Sequence, residues 1–298
     1  MNSLELVNEL YKPYRITKQG KATIIESMDG KFAVKAKSQK NVKELFEYLR
    51  YRNFDGFPKI VDDSRSDIDI FEYVDDVKMP SDQKALDMVR LVAKLHNKTS
   101  YDKEVREDKY KEIYESISST LEYYKMDYER MVIEIEDHIF MSPSEYLFIR
   151  NSSKLMNQIA FCREKLDEWY ESVRGILKTR VSVVHNNLSL DHYLKGEREV
   201  LISWDKSTVD TPILDIYNFY QKEALNIEFS SILKEYLSIS QLDEPSKNLL
   251  LILLCLPKKF TLTDDEFSSC SSISEGLDYV FKTENLARPY YLEQDKEQ

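Results

Sequence analysis

Glycine is scarce in this chain, six residues in 298, so a loop of the G-x-G-x-x-G kind, which wraps phosphate in bare backbone, is missing. Cysteine is scarce too. Cys162, Cys255 and Cys270 are odd in number, widely spaced and free of any CxxC, which argues against a disulfide framework or a zinc ribbon and for a reducing cytoplasm. Positive charge is outweighed: the formal net charge is −11, which removes nucleic acid and anionic membrane surfaces as default partners. No long apolar run exists. The longest, Leu249–Leu256, is too short to span a bilayer and reads as a buried helix, so no membrane insertion is expected. Met1–Leu10 is acidic, polar and amphipathic, unlike a signal peptide.

What is present is material for a core. Hydrophobic residues make up 42% and aromatics 12%, enough for one large domain or two lobes. Residues 2–12 read as a short helix, followed by strands at Tyr14–Thr17 and Ala22–Glu26. Met28-Asp29-Gly30-Lys31 is a hairpin turn, and Phe32–Lys35 is the next strand. A helix from about Gln39 to Arg52 carries an apolar stripe of Val42, Leu45, Phe46 and Leu49. Phe57–Val61 and Asp67–Val74 read as two further strands. The order β-β-β-α-β-β predicts a mostly antiparallel sheet with one helix, an α+β lobe.

Farther on, Ser81–Lys98 reads as a helix with Ser81 as its N-cap. His96, near its end, reads as a packing histidine. Residues 105–178 are the most strongly patterned. Ile113, Ile117, Leu121, Tyr124, Tyr128, Val132, Ile135 and Ile139 recur at helical spacing. Ser142-Pro143-Ser144-Glu145 is a capping-box sequence, and Tyr146, Ile149, Met156, Ile159, Leu166, Trp169, Val173 and Ile176 follow on one face. The two helices should form an antiparallel hairpin. Tyr110, Tyr114, Tyr123 and Tyr124 serve core packing and a solvated rim more readily than a ligand groove.

The chemistry concentrates in Val183-Val184-His185-Asn186-Asn187-Leu188-Ser189-Leu190-Asp191-His192-Tyr193-Leu194 and in Leu201-Ile202-Ser203-Trp204-Asp205. These stretches give a strand end, a polar loop, a short strand and a second polar loop. Together with Ala33-Val34-Lys35, the glutamate-bearing helix after it, and Val209-Asp210-Thr211-Pro212-Ile213-Leu214-Asp215-Ile216-Tyr217, the chain resembles the protein-kinase-like fold, in its aminoglycoside phosphotransferase and choline kinase branch. Leu254–Phe260 further resembles the hydrophobic-Pro-x-x-Phe turn of the spore-coat kinase-like group within that branch.

The resemblance implies roles. Lys35 takes the position of the lysine on the nucleotide's α- and β-phosphates, with Glu44 as its helix-borne ion-pair partner and Glu47 as the fallback. Phe71-Glu72-Tyr73-Val74 takes the hinge, where backbone groups of Glu72 and Val74 would meet an adenine. The branch's catalytic loop reads H-G-D-L-x-x-x-N and its metal loop I-D-W. Laid over these without a gap, His185 and Leu188 match. The proton-accepting aspartate becomes Asn187, an amide. The metal-binding asparagine becomes His192, and the metal-binding aspartate becomes Ser203, a poor anchor for a hard cation. Asp191 and Asp205 are nearby carboxylates that a re-registered loop would use, and the set His185, Asp191, His192, Asp205 would suit a transition metal. A Ser189/His192 hydrolase is rejected for want of a GxSxG elbow. Asp215 takes a structural position, bonding the catalytic-loop backbone.

The expectation is therefore a bilobal protein-kinase-like α+β fold, with a small antiparallel lobe over 1–77 and a large, mostly helical lobe over 78–298. The second lobe includes the helical hairpin 105–178 and the altered loops 183–217. Losing a general base typically costs ~10²–10⁴ in rate, and the metal anchors are altered as well. The favoured function is a pseudokinase or very weak kinase, a binding or scaffold module that keeps ATP or GTP with little or no Mg2+ and meets a small molecule or a protein. The alternative is an active phosphotransferase with atypical metal ligation, acting on a hydroxyl of an aminoglycoside-, choline- or sugar-like acceptor.

Overall fold

The computed structural model describes Val7 and residues 9–38, 41–65 and 67–297, with backbone alone over 292–297. Two compact units emerge. One comprises Met1–Ser100, Ser182–Asp210 and Ser238–Ser240; the other comprises Tyr101–Val181, Thr211–Leu237 and Gln241–Gln298. This is a different cut from the 77/78 boundary expected above. Within the first unit, Lys195 Nζ bonds Asp87 at 2.6 Å, the Leu201 amide bonds the Gly56 carbonyl at 2.9 Å, and Arg198 pairs with Glu72 of the sheet.

The first unit is built on an antiparallel sheet of β1 (Arg15–Gln19), β2 (Ala22–Ser27), β3 (Gly30–Ala36), β4 (Ile60–Asp62) and β5 (Ile68–Glu72), in the order β1-β2-β3-β5-β4. The expected hairpin is present: Ser27 pairs with Gly30, whose φ of 128° only glycine adopts readily. The strand expected at Phe57–Val61 begins later, at Ile60. Val34 and Ile70 are cross-strand partners and join Val7, Ile25 and Ile68 in a buried cluster. Strand alternation turns Lys35 to the opposite face of β3. Of the helix expected over 2–12, Val7 and Glu9–Tyr11 are helical and the other positions before Glu9 lie outside the described residues, as does Gln39 at the start of the next.

Helix α1 (Val42–Tyr51) is capped by the Asn41 side chain, which accepts from the Glu44 amide, and it buries Phe46 and Leu49. Helix α2 (Ser81–Thr99) corrects one expectation. Pro80 holds the N-cap position without a side-chain capping bond, and Ser81 is the first helical residue; proline's fixed φ, −57° here, supplies the start that a hydroxyl was expected to supply. His96 is buried near its end.

The second unit is helical. α3 (Lys109–Glu136) and α4 (Pro143–Val173) pack along one another, and α4 opens with the expected capping box, Ser142 and Glu145 bonding reciprocally. The buried sets differ from the expected stripes. Ile139 lies past the end of α3 and is 91% exposed. On α4 the buried line runs Phe148, Leu155, Ile159, Cys162, Leu166, Trp169 and Val173; Tyr146 is exposed. A stripe drawn back from Ile159 through Met156 and Ile149 drifts off the core face, because the buried line keeps a seven-residue spacing from Phe148. Helices α5 (Ile213–Glu223), α6 (Phe229–Ile239), α7 (Glu244–Leu254) and α8 (Glu266–Glu297) complete the chain. The turn after α7 places Phe260 against Tyr128 and Phe148. Gly276 of α8 makes room for it, since a Cβ there would stand 2.3 Å from the Phe260 ring.

Strand β7 (Lys178–Val184) pairs through residues 178–181 with β6 (Tyr101–Glu104). Through residues 182–184 it pairs with β10 (Thr208–Asp210). Between them β8 (Tyr193–Lys195) and β9 (Glu199–Leu201) form a short hairpin. Among the described residues no helix is long and apolar enough to cross a membrane.

Candidate active site

Every predicted site residue except Asp215 falls in the first unit; Asp215 lies in the second. The polar loop after β7 begins at His185, which is fully buried. Its Nε2–H donates to the Ile202 carbonyl at 2.9 Å, and its ring meets Trp204 edge-on at 4.8 Å. Trp204 in turn contacts Phe46 and Phe54, and Phe46 stacks on Phe57 at 4.2 Å. One aromatic cluster thus ties helix α1 to both polar loops.

His192 closes the loop. Its Nδ1–H donates to the Asn187 carbonyl at 2.6 Å, and its own carbonyl accepts from the Ile202 amide at 2.9 Å. The ring at the position where a metal-binding asparagine was expected therefore staples the loop back to Asn187. Asn186, with φ 57°, donates from its side chain to Thr208 at 2.6 Å; asparagine tolerates the left-handed region better than most residues.

Across the site, Lys35 Nζ donates to Ser203 Oγ at 3.2 Å. Burial pushes the Lys35 pKa down, the Asp205 carboxylate pulls it partly back, and the like charge of Lys21 adds to the lowering. Glu44 is not the partner. Its amide and one carboxylate oxygen are engaged by Asn41, it is exposed, and among the described residues no ion pair joins it to Lys35. The fallback, Glu47, is also exposed. The acid that Lys35 does sense is Asp205.

In the segment expected to be the hinge, the Glu72 amide donates to the Lys59 carbonyl and the Tyr73 amide to the Lys31 carbonyl. The Glu72 carboxylate accepts from the Lys59 amide and pairs with Arg198, so that side chain is structural. Val74 is half-buried, and among the described residues its amide has no protein acceptor.

Sequence reasoning missed the group behind the β8–β9 hairpin. Lys195 bonds Asp87, which is 6% exposed, and lies 3.3 Å from Glu199. Burial alone would raise the Asp87 pKa, but hydrogen bonds from Lys195 and Gln83 leave it below the usual range. Arg198 adds bonds to the carbonyls of Asp55 and Phe57. The spacing Lys195-x-x-Arg198, a lysine just before a turn glycine and an arginine two residues after it, was the available signal. Two clefts, of about 520 Å³ beside Arg106, Tyr110, Tyr170 and Arg174 and about 360 Å³ beside Lys37, Lys43, Asp63 and Asp69, do not include the predicted site residues.

The arrangement offers no cage of protein ligands for a divalent cation. Among the described residues no three His, Cys, Asp or Glu side chains gather where a metal ion could sit, so the set His185, Asp191, His192, Asp205 is not brought together. Ser203 Oγ accepts from an ammonium, and Asp191 and Asp205 are exposed. Nor does Asn187 offer a carboxylate to take a proton.

No family model matches the sequence, and no curated protein does. Solved structures do. An aminoglycoside phosphotransferase from Alicyclobacillus acidocaldarius superposes with a TM-score of 0.70 over 96% of this chain and 94% of that one, at 13% identity. The chain has the protein-kinase-like fold. A spectinomycin phosphotransferase bound to AMP aligns at TM-score 0.50 and 12% identity, over 98% of this chain and 93% of that one. A choline kinase from Streptococcus pneumoniae aligns at TM-score 0.48 and 15% identity, over 96% and 95%. The protein-kinase-like fold accounts for the small antiparallel sheet with α1 and for the larger helical region. At such identities it carries no activity with it.

Proposed function

We propose that this protein is a nucleotide-binding, kinase-like module that has lost group transfer and acts in the cytoplasm through what it binds. The observation that carries the reading is the Lys35–Ser203 bond at 3.2 Å: the phosphate-position lysine ends on a neutral hydroxyl. Phosphoryl transfer is catalysed by positioning and by neutralising charge on the transferring group, together with a residue that orients the nucleophile. Here the base position is an amide and the metal positions are a carbonyl-bound imidazole and a lysine-bound serine. Nucleotide recognition keeps its support in Lys35 and in the unpartnered Val74 amide, and a structure of the same fold has been obtained with AMP. The bound partner would be a cationic small molecule or a protein, consistent with the net charge of −11.

One observation favours an active phosphotransferase instead: the charge of Asp205 reaches Lys35, so one carboxylate remains in the site. Product analysis separates the two. The native chain is incubated with ATP or GTP, Mg2+ or Mn2+, and kanamycin, choline or a hexose as acceptor. Nucleotide consumption at the level of the protein-free blank is expected. Repeated turnover with transfer to any acceptor overturns the proposal in favour of the active reading.

A further inference from the structure

In a fold of this kind the triphosphate's charge is shared between a lysine and metal ions held by acids. This site holds the lysine but, among the described residues, only one acid near it, the exposed Asp205. Ser203 Oγ is the acceptor of the Lys35 ammonium, so a divalent cation on that oxygen would sit against a fixed positive charge. His192 spends Nδ1 on the Asn187 carbonyl. Asp205 is the one carboxylate whose charge reaches Lys35, and it is exposed.

A second cation stands at the neighbouring strand end: β2 pairs with β3 with Thr23 opposite Val34, which brings the turn before Ala22 level with Lys35. The β1–β2 connection is a two-residue turn, Gly20-Lys21, closed by the Gln19–Ala22 pair, with Gly20 at φ 56° and open space where its Cβ would be. So short a turn cannot drape a row of amides over phosphate. It presents Lys21, whose charge is felt at Lys35. Two lysines near one exposed carboxylate favour an anionic ligand there over a bare cation.

We infer that the Lys35 site takes the polyphosphate of a nucleotide as the metal-free anion, gripped by Lys35 and Lys21, with the Ser203 hydroxyl as a neutral hydrogen-bonding partner. The inference rests on the nucleotide-binding reading above. Magnesium then competes for the ligand in solution, since it chelates the oxygens the lysines need and lowers the anion's charge.

The test is calorimetric titration of the full chain with ATP and with ADP, in millimolar EDTA and in millimolar Mg2+. Binding in EDTA at least as tight as in Mg2+ is expected. Lys21→Glu, on an exposed turn where folding is not at risk, should weaken binding in EDTA about tenfold or more, the loss typical of a charge-assisted contact, and Lys35→Met should do the same. Binding that requires Mg2+ overturns this inference and leaves nucleotide recognition standing. Absence of binding in both buffers overturns both. Binding in EDTA that Lys21→Glu leaves unchanged overturns the two-lysine grip.

Discussion

Lys35 Nζ and Ser203 Oγ lie 3.2 Å apart, although 168 residues separate them in sequence. The contact joins the sheet to the loop after β9 through one hydrogen bond from an ammonium to a neutral hydroxyl. Replacing Ser203 with aspartate should turn it into an ion pair. Ser203 has φ 69°, a region aspartate tolerates well, so the backbone is no obstacle. Ser203→Asp should raise the Lys35 pKa and add up to about 1 kcal/mol of stability, the range for a pair that solvent still reaches. Urea unfolding and a pH titration of the two proteins check it; a loss of stability would mean the carboxylate does not reach the ammonium.

The staple between His192 and Asn187 supports a second expectation. His192→Ala removes the donor to a carbonyl held at 2.6 Å and should cost about 1–3 kcal/mol. His192→Asn puts an amide N–H close to the position of Nδ1–H and should recover most of that loss. Thermal unfolding of the two variants separates a hydrogen-bond role from simple ring packing, for which asparagine would be no better than alanine.

Trp204 links Phe46, Phe54 and His185 and is 3% exposed. Trp204→Ala should cost about 3–5 kcal/mol, as large-to-small changes in a packed core do. Trp204→Phe should cost less while losing the bond from Nε1–H to the Leu201 carbonyl. Chemical denaturation midpoints measure both.

Much of this was legible in the sequence, for reasons that differ by region. The hairpin at Gly30, the helix carrying Phe46 and Leu49, and the capping box at Ser142 are local signals, and each depends on a few adjacent residues. The protein-kinase-like fold was legible from widely spaced motifs. The partner of Lys35 was not. Choosing between Glu44 and Asp205 depends on where α1 turns its acidic face, and in this chain Asn41 engages Glu44 at the helix start. The anchoring of the β8–β9 hairpin was equally hidden, since Lys195 finds Asp87 across 108 residues.

Asp87 gives a prediction in acid. It is buried, which alone would raise its pKa, but hydrogen bonds from Lys195 and Gln83 hold it below the ordinary aspartate value. A carboxylate with a depressed folded pKa contributes stability above its unfolded pKa, near 3.8, and that contribution is lost as pH falls through the folded value. Asp87→Asn should therefore be destabilising at neutral pH, by about 2 kcal/mol given a partner that remains partly exposed. The gap from the native protein should close as pH falls below about 3.8. A gap that is constant from neutral pH into acid would show that packing, not charge, holds the contact.

Lys35 predicts the opposite slope at high pH. Its folded pKa is lowered, first by burial and then by Lys21, with Asp205 opposing. Folding therefore disfavours its proton, and below the lowered value the native state carries that penalty in full. As pH rises from the folded value towards the ordinary 10.5, the unfolded chain holds more protons than the folded one and stability increases. Lys35→Met removes the group, so the variant should be the more stable at neutral pH, with the difference shrinking as pH approaches 10.5. Taking the difference between the two proteins cancels the tyrosines that titrate nearby. Denaturation midpoints across neutral to alkaline pH measure it. A Lys35→Met protein less stable than native at neutral pH would mean that the bond to Ser203 and the pull of Asp205 outweigh desolvation.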